Sequence, residues 1–303
     1  MSNNTAPVSN CTLETCSLSQ AYLDYDPSLA GNAFYVGIFG ALLLVQCYQG
    51  YYYRTWTYTL GMLLGLSGEV IGYIARIQMS FNPFLANPFL MYLICLTIAP
   101  VFISATIYLC LSRIVVIYGA DHSRFRPKTY TAVFMSCDFI SLLLQAAGGA
   151  IADTYLTNLP LQNTGVHIMV AGLAFQVASL FLFAALCVEY ALRVMKKRGS
   201  LTTEYSQLTQ TRKFNLFLGS LAFSTLAIIT RSAYRLAELQ GGFSSALANN
   251  EPLLMIFDGA MMVLACLSLT IFHAGWALQS NWGDVLSKPA SPALPQANGI
   301  RKD

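Results

Sequence analysis

The sequence predicts an all-α, polytopic membrane protein: a seven-transmembrane helix bundle with its N-terminus outside and its C-terminus in the cytoplasm. Three observations predict it. Of the 303 residues, 55% are hydrophobic and only 10% charged, whereas a soluble domain carries about 25% charged residues. Seven apolar runs approach the roughly 20 residues a helix needs to cross the hydrocarbon of a bilayer. The basic residues are gathered on one side of those runs.

The runs lie near residues 33–53, 57–77, 89–112, 130–151, 165–191, 214–236 and 253–275. Threading seven spans puts fourteen of the seventeen Lys and Arg in the loops and tail of one face, from Arg54 and Arg113 through the basic segments 121–128 and 193–213 to Lys288, Arg301 and Lys302. The positive-inside rule makes that face cytoplasmic. The remaining three, Arg76, Arg231 and Arg235, lie within the spans. Three regions follow: an extracellular N-terminal tail at 1–32, the bundle at 33–278, and a cytoplasmic tail at 279–303, rich in proline, with the composition of a disordered segment.

The first 32 residues contain no Lys or Arg and carry two glycosylation sequons, at Asn3 and Asn10. Cys11 and Cys16 lie in the same tail, where an oxidising compartment permits a local disulfide. The other six cysteines fall in spans and read as small apolar residues. With no basic n-region and no apolar core in the first 30 residues, the first span is expected to direct insertion.

In chain order, the first span ends in an aromatic cluster, Tyr48, Tyr51, Tyr52, Tyr53 and Trp56, placed where an interfacial belt anchors a helix. The second carries Gly61, Gly65, Gly68 and Gly72, a small-xxx-small pattern that lets another helix approach closely. The same span holds Glu69, Tyr73 and Arg76 at i, i+4 and i+7. Its GxSG stretch around Ser67 also fits the serine of an intramembrane protease, a reading that needs a histidine at the same depth. In the third span Pro100 frees a carbonyl and is a candidate hinge. Asp138, Ser141 and Gln145 align on the fourth. The fifth is nearly all apolar, and the basic segment after it is a topology signal or a site for anionic lipid heads. The sixth ends in Arg231, Tyr234, Arg235 and Glu238 at i, i+3, i+4 and i+7, all on one helical face. Asp258 lies one turn inside the seventh.

A charge facing hydrocarbon costs several kcal/mol, so these residues face protein or a watery cavity. At about 1.5 Å per residue, Glu69 sits roughly 18 Å from the cytoplasmic end of its span. Arg76, Gln145, Arg231, Arg235 and Asp258 also fall in the outer part, with Asp138 deeper. Two readings of this layer stand side by side: structural ion pairs that fix helix register, and an amphipathic pocket whose carboxylates receive a cationic head group.

Several classes are excluded. No GxxxxGK[ST] loop or HExxH motif occurs, and His122, His167 and His273 are too dispersed for a shared zinc site. No lysine lies within a span, which excludes a retinal Schiff base. Neither cofactor nor metal is expected, no enzyme activity is assigned, and no feature points to nucleic acid. A seven-helix receptor or sensor acting on lipid asymmetry through signalling shares the topology. Against it, Leu111-Ser112-Arg113 lacks an acidic neighbour and the seventh span lacks NPxxY.

Five stretches, in order, resemble the fungal lipid-translocating exporter family named after resistance to aminocholesterol: residues 69–76 (EVIGYIAR), 99–116 (APVFISATIYLCLSRIVV), 138–149 (DFISLLLQAAGG), 231–238 (RSAYRLAE) and 251–258 (EPLLMIFD). Where the family often has a third small residue after the glycine pair, this chain has Ala150. The two tails carry no family signal. The resemblance implies a seven-helix protein of the plasma membrane with an external N-terminus. It further implies an association with release of sphingoid long-chain bases and tolerance of amphipathic compounds such as aminosterols and azoles; one branch is linked to porphyrin transport. The expected partners are membrane lipids and an amphipathic small-molecule substrate.

Overall fold

The computed structural model describes Leu23, residues 25–118, 127–154, 159–196, Thr209, residues 211–241, residues 249–278 and Trp282. Asn3, Asn10, Cys11 and Cys16 lie outside the described residues, as does most of the C-terminal tail. Seven helices, each of at least 25 residues, are long and apolar enough to cross a membrane. They are α1 (Leu29–Tyr53), α2 (Trp56–Phe81), α3 (Ala86–Tyr118), α4 (Pro127–Thr154), α5 (Leu159–Lys196), α6 (Arg212–Gln240) and α7 (Glu251–Leu278). The last is composite. It starts as an α-turn, passes through a π-helical turn at Met255–Ala260, resumes as an α-helix at Met261–Ile271, and breaks at Phe272 and His273 before a final turn, Ala274–Leu278.

The helices outrun the apolar stretches because polar residues cap or extend them. Ser28 caps α1, its hydroxyl accepting from the Gly31 amide, so the helix begins four residues before the apolar run. Arg54, in the left-handed region at φ 54°, ends α1 and leaves only Thr55 before α2, so the two helices pack antiparallel. Asn250 caps α7, with Pro252 in its first turn. Helix α3 continues through Arg113 to Tyr118.

Consecutive helices pack against one another, α1 also touches α7, and α3 also meets α6. Polarity is distributed as a membrane requires. On α4, Asp138 and Ser141 are buried while Phe139, Ile140 and Leu143 point outward. Lipid tails are as apolar as leucine, so burial of apolar area alone does not hold such helices together; close backbone approach does. The four glycines of α2 meet α3 in this way: carbons added at Gly65 and Gly72 would lie 2.5 Å from Ile103 and 2.6 Å from Leu96. Packing therefore accounts for Gly65 and Gly68 without the protease reading of Ser67.

The α4–α5 contact is tighter, since backbone faces backbone. A carbon added at Gly165 would lie 2.5 Å from the Ala152 nitrogen and 2.7 Å from the Gly148 carbonyl oxygen. Neither atom can move without its helix. Gly165→Leu is expected to cost about 1–3 kcal/mol or more by overpacking. Thermal unfolding of the purified protein in detergent checks this, with Gly219→Leu, where the added carbon meets nothing within 4 Å, as the control.

Candidate functional site: a buried charge layer

The layer lies between α2, α6 and α7, toward the end of the bundle that carries the N-terminus. Its three arginines are all buried, and each has a carboxylate. On α6, Arg231 Nε stands 2.7 Å from Asp258 Oδ1 of α7. Arg235 Nη1 stands 2.8 Å from Glu238 Oε2, one turn along the same helix. Arg76 Nη2 of α2 lies 3.6 Å from Glu251 Oε1.

Two backbone irregularities position these pairs. Pro100 has no amide hydrogen, so the carbonyl of Leu96 one turn earlier loses its helical partner. Arg231 Nη2 donates to that carbonyl. The proline and the arginine, read separately in the sequence, are thus parts of one arrangement. On α7, Asp258 and Gly259 lie in the π-helical turn, the kind of local widening that recurs at functional sites. Tyr35 donates its hydroxyl to the Met255 carbonyl at 2.6 Å and stacks on Tyr73 with ring centroids 4.8 Å apart. Gly259 makes room for both rings, since an added carbon would meet Tyr35 at 2.6 Å and the Tyr73 hydroxyl at 2.7 Å.

The N-terminal end of the layer is covered. Arg76 donates to Asn32 Oδ1 at 3.0 Å and to the Tyr25 hydroxyl at 2.9 Å, and its guanidinium lies 5.2 Å from the Tyr92 ring centroid. The Ser28 amide donates to Glu251 Oε1 at 2.7 Å. Burial pushes the Tyr25 hydroxyl above its ordinary pKa against the opposing pull of Arg76, so at neutral pH it is an uncharged phenol accepting from the guanidinium. Residues assigned to an external tail by sequence therefore pack against the bundle.

Glu69 differs from every other acid in the layer. It is 1% exposed, and its Oε1 has no hydrogen-bond partner among the described residues; Asp258 is as buried but has Arg231 at 2.7 Å. No cation lies within ion-pair distance of it among the described residues. Arg231, Arg235 and Asp258 stand within electrostatic range of its carboxyl.

Of the other residues singled out by sequence, Tyr234 is half-buried at the edge of the layer, its ring stacked on Phe257 at 5.5 Å and its hydroxyl buried within electrostatic range of Arg235, Glu238 and Asp258. Asp138 and Gln145 are not in the layer. Asp138 Oδ2 accepts from Tyr108 at 2.9 Å, between α3 and α4, and Gln145 bonds Gln176 at 3.1 Å, between α4 and α5. Helical spacing on α4 placed both residues inward but not toward the arginines.

Sequence reasoning missed Asn32, Tyr35 and Glu251. The signal for Asn32 was present: Asn32, Phe39 and Gln46 recur at i, i+7 and i+14, one buried face of α1. It also missed a second polar cluster at the opposite end. There Arg113, read as an interfacial charge, is buried, with its guanidinium 3.5 Å from the Trp282 ring centroid and Nη2 donating to Thr57 at 3.3 Å. His273 accepts from the Gly275 amide through Nδ1 at 3.0 Å. No group of three or more metal-ligating side chains occurs among the described residues.

Seven apolar spans closed around buried ion pairs define a multi-pass membrane protein. The family model described as "RTA1 like protein" matches residues 62–281. The sphingoid long-chain base transporter RSB1 of Saccharomyces cerevisiae is 31% identical over 88% of this chain and 76% of its own length. Protein RTA1 of the same yeast is 29% identical over 68% of this chain and 62% of its own. Protoporphyrin uptake protein 1, also from that yeast, is 28% identical over 67% and 64%. The chain belongs to the RTA1-like family. No solved structure matches it.

Proposed function

We propose that this protein is a plasma-membrane transporter of amphipathic lipids or lipid-like compounds of the sphingoid long-chain base type, moving them toward the outer side and conferring resistance or lipid asymmetry. The N-terminus is outside, by the distribution of basic residues. The observation that carries the reading is Glu69, a buried carboxyl without a cation among the described residues, in a layer where every arginine already has its acid. A long-chain base is a cationic amine on an apolar tail. The tail is at home in lipid, and the head group is what hydrocarbon rejects. Glu69 replaces its hydration with an ion pair. The arginine pairs keep the layer together when no substrate is present.

The site is closed in this conformation, since Glu69 is buried and the Tyr25, Arg76 and Glu251 contacts cover the N-terminal side. Transport requires that cover to open. Pro100 is the hinge on this reading, because α3 lacks a helical bond there and the Arg231 bond to Leu96 ties its bending to the layer. Asp138, Gln145 and Tyr234 line the path beyond the layer. The relative named as a sphingoid long-chain base transporter supports this substrate class, and the one named for protoporphyrin uptake shows how widely substrates differ among relatives.

The test is transbilayer movement of a labelled long-chain base in liposomes holding the purified protein. Its N-acetylated analogue, which lacks the charge, and a labelled phospholipid serve as comparisons. Protein-dependent movement of the base, well above that of both, is expected. No protein-dependent movement from folded protein would overturn the reading in favour of a receptor acting through a cytoplasmic partner.

A further inference from the structure

The charge count of the layer reaches beyond substrate class to how movement is driven. Among the described residues, Arg76, Arg231 and Arg235 are matched by Glu251, Asp258 and Glu238, which leaves Glu69 as the carboxyl in excess. It is reached by the fields of Arg231 and Arg235 on α6 and Asp258 on α7. Tyr73 on its own helix, Cys95 on α3 and Cys266 on α7 complete its titratable surroundings. Both nearby cations are engaged elsewhere, and none of the uncharged groups donates to its buried oxygen. An ionised carboxylate without a partner is not sustained in such an interior; it takes up a proton instead.

We infer that the protein exchanges one proton for each cationic amine it moves, with Glu69 carrying one or the other. The inference rests on the transporter reading above. The site empty of substrate holds Glu69 as a neutral acid. When an ammonium head group arrives, the carboxyl O–H bond breaks, the proton leaves to the water on the side of entry, and the carboxylate pairs with the ammonium. On the other side a proton from water returns to the carboxylate and the ammonium leaves. One positive charge crosses in each direction, so the cycle is electroneutral. A more acidic compartment on the side of release therefore drives the amine toward it. No nucleotide is needed, in keeping with the missing P-loop.

The test uses liposomes containing the full-length protein, with labelled long-chain base added to the outer leaflet and a pH dye inside. Protein-free liposomes give the baseline of spontaneous movement. A pH gradient without membrane potential, and a potassium-diffusion potential without pH gradient, are imposed in turn. The expected result is protein-dependent movement that is accelerated several-fold by an acidic interior, is indifferent to the potential, and removes one internal proton per base, read as a rise in internal pH. Glu69→Gln, shown to be folded by its size-exclusion profile, loses that increment. Movement that follows the potential with no proton signal overturns the exchange and leaves the transporter reading standing. A proton signal that survives in Glu69→Gln overturns the assignment to Glu69, because an unaided neutral amine gives the same signal. Absence of any protein-dependent movement defeats the transporter reading itself. Where the variant does not fold, the comparison of the two gradients on wild type still separates electroneutral from charge-carrying movement. An N,N,N-trimethylated base, which has no neutral form, then decides: acid-driven movement with the proton signal upholds the exchange, and its absence overturns it.

Discussion

Asp258→Ala is expected to be the most destabilising single substitution in the bundle. Arg231 is 2% exposed and has Asp258 as its carboxylate at 2.7 Å. Removing the acid leaves a guanidinium in a dry interior with only a backbone carbonyl to bond, and breaking a buried pair in this way costs about 3–5 kcal/mol. For a domain of this size, that corresponds to a fall in melting temperature on the order of 10 °C. The measurement is thermal unfolding in detergent or nanodiscs, alongside Arg231→Met and the double variant Arg231→Met/Asp258→Leu. An apolar replacement of both partners removes two desolvation penalties together with their attraction, so the double variant recovers most of the loss. Its remaining deficit is the Leu96 carbonyl, freed by Pro100 and no longer bonded, an orphan worth about 1–3 kcal/mol. A double variant no more stable than Asp258→Ala would show that the ion pair is not what its loss removes.

That prediction draws on features of unequal legibility in the sequence. The seven spans follow from hydropathy, and the inward faces of α2 and α6 from helical spacing, because both are properties of a single segment. Partner choice is a property of the bundle. Arg235 takes its acid from its own helix, whereas Arg76 reaches Glu251, Asn32 and Tyr25 on segments far away in sequence. Nothing local distinguishes the two cases. Asp138 points inward as its spacing required, yet it meets Tyr108 instead of an arginine, because the inward face of α4 there packs against α3. Pro100 was legible as a proline that frees a carbonyl. Its recipient was not, since Arg231 lies 135 positions further on. The π-helical turn at Met255–Ala260 has no sequence signature; it stands where a helix must bring Asp258 to Arg231 and Gly259 against two tyrosine rings.

Glu69→Gln should separate function from stability in the opposite sense. The amide is nearly isosteric with the neutral acid, and among the described residues Glu69 has no salt bridge to lose, so the folded state keeps its charge balance. Its melting temperature is expected to stay within a few degrees of wild type, as befits a change of about 1 kcal/mol or less. Transport of the cationic base is expected to collapse, because the head group then enters the layer without a counter-charge. If that absence raises the barrier by about 3 kcal/mol, a modest figure for an unpaired charge at this depth, the rate falls roughly 100-fold. The N-acetylated analogue, which brings no charge, is unaffected by the substitution. Initial rates for the two labelled compounds in liposomes, with melting curves on the same preparations, make the comparison. A parallel loss of stability and transport would mark Glu69 as one more structural group of the layer. Loss of transport alone, confined to the charged substrate, is what a carboxyl reserved for a visiting cation requires.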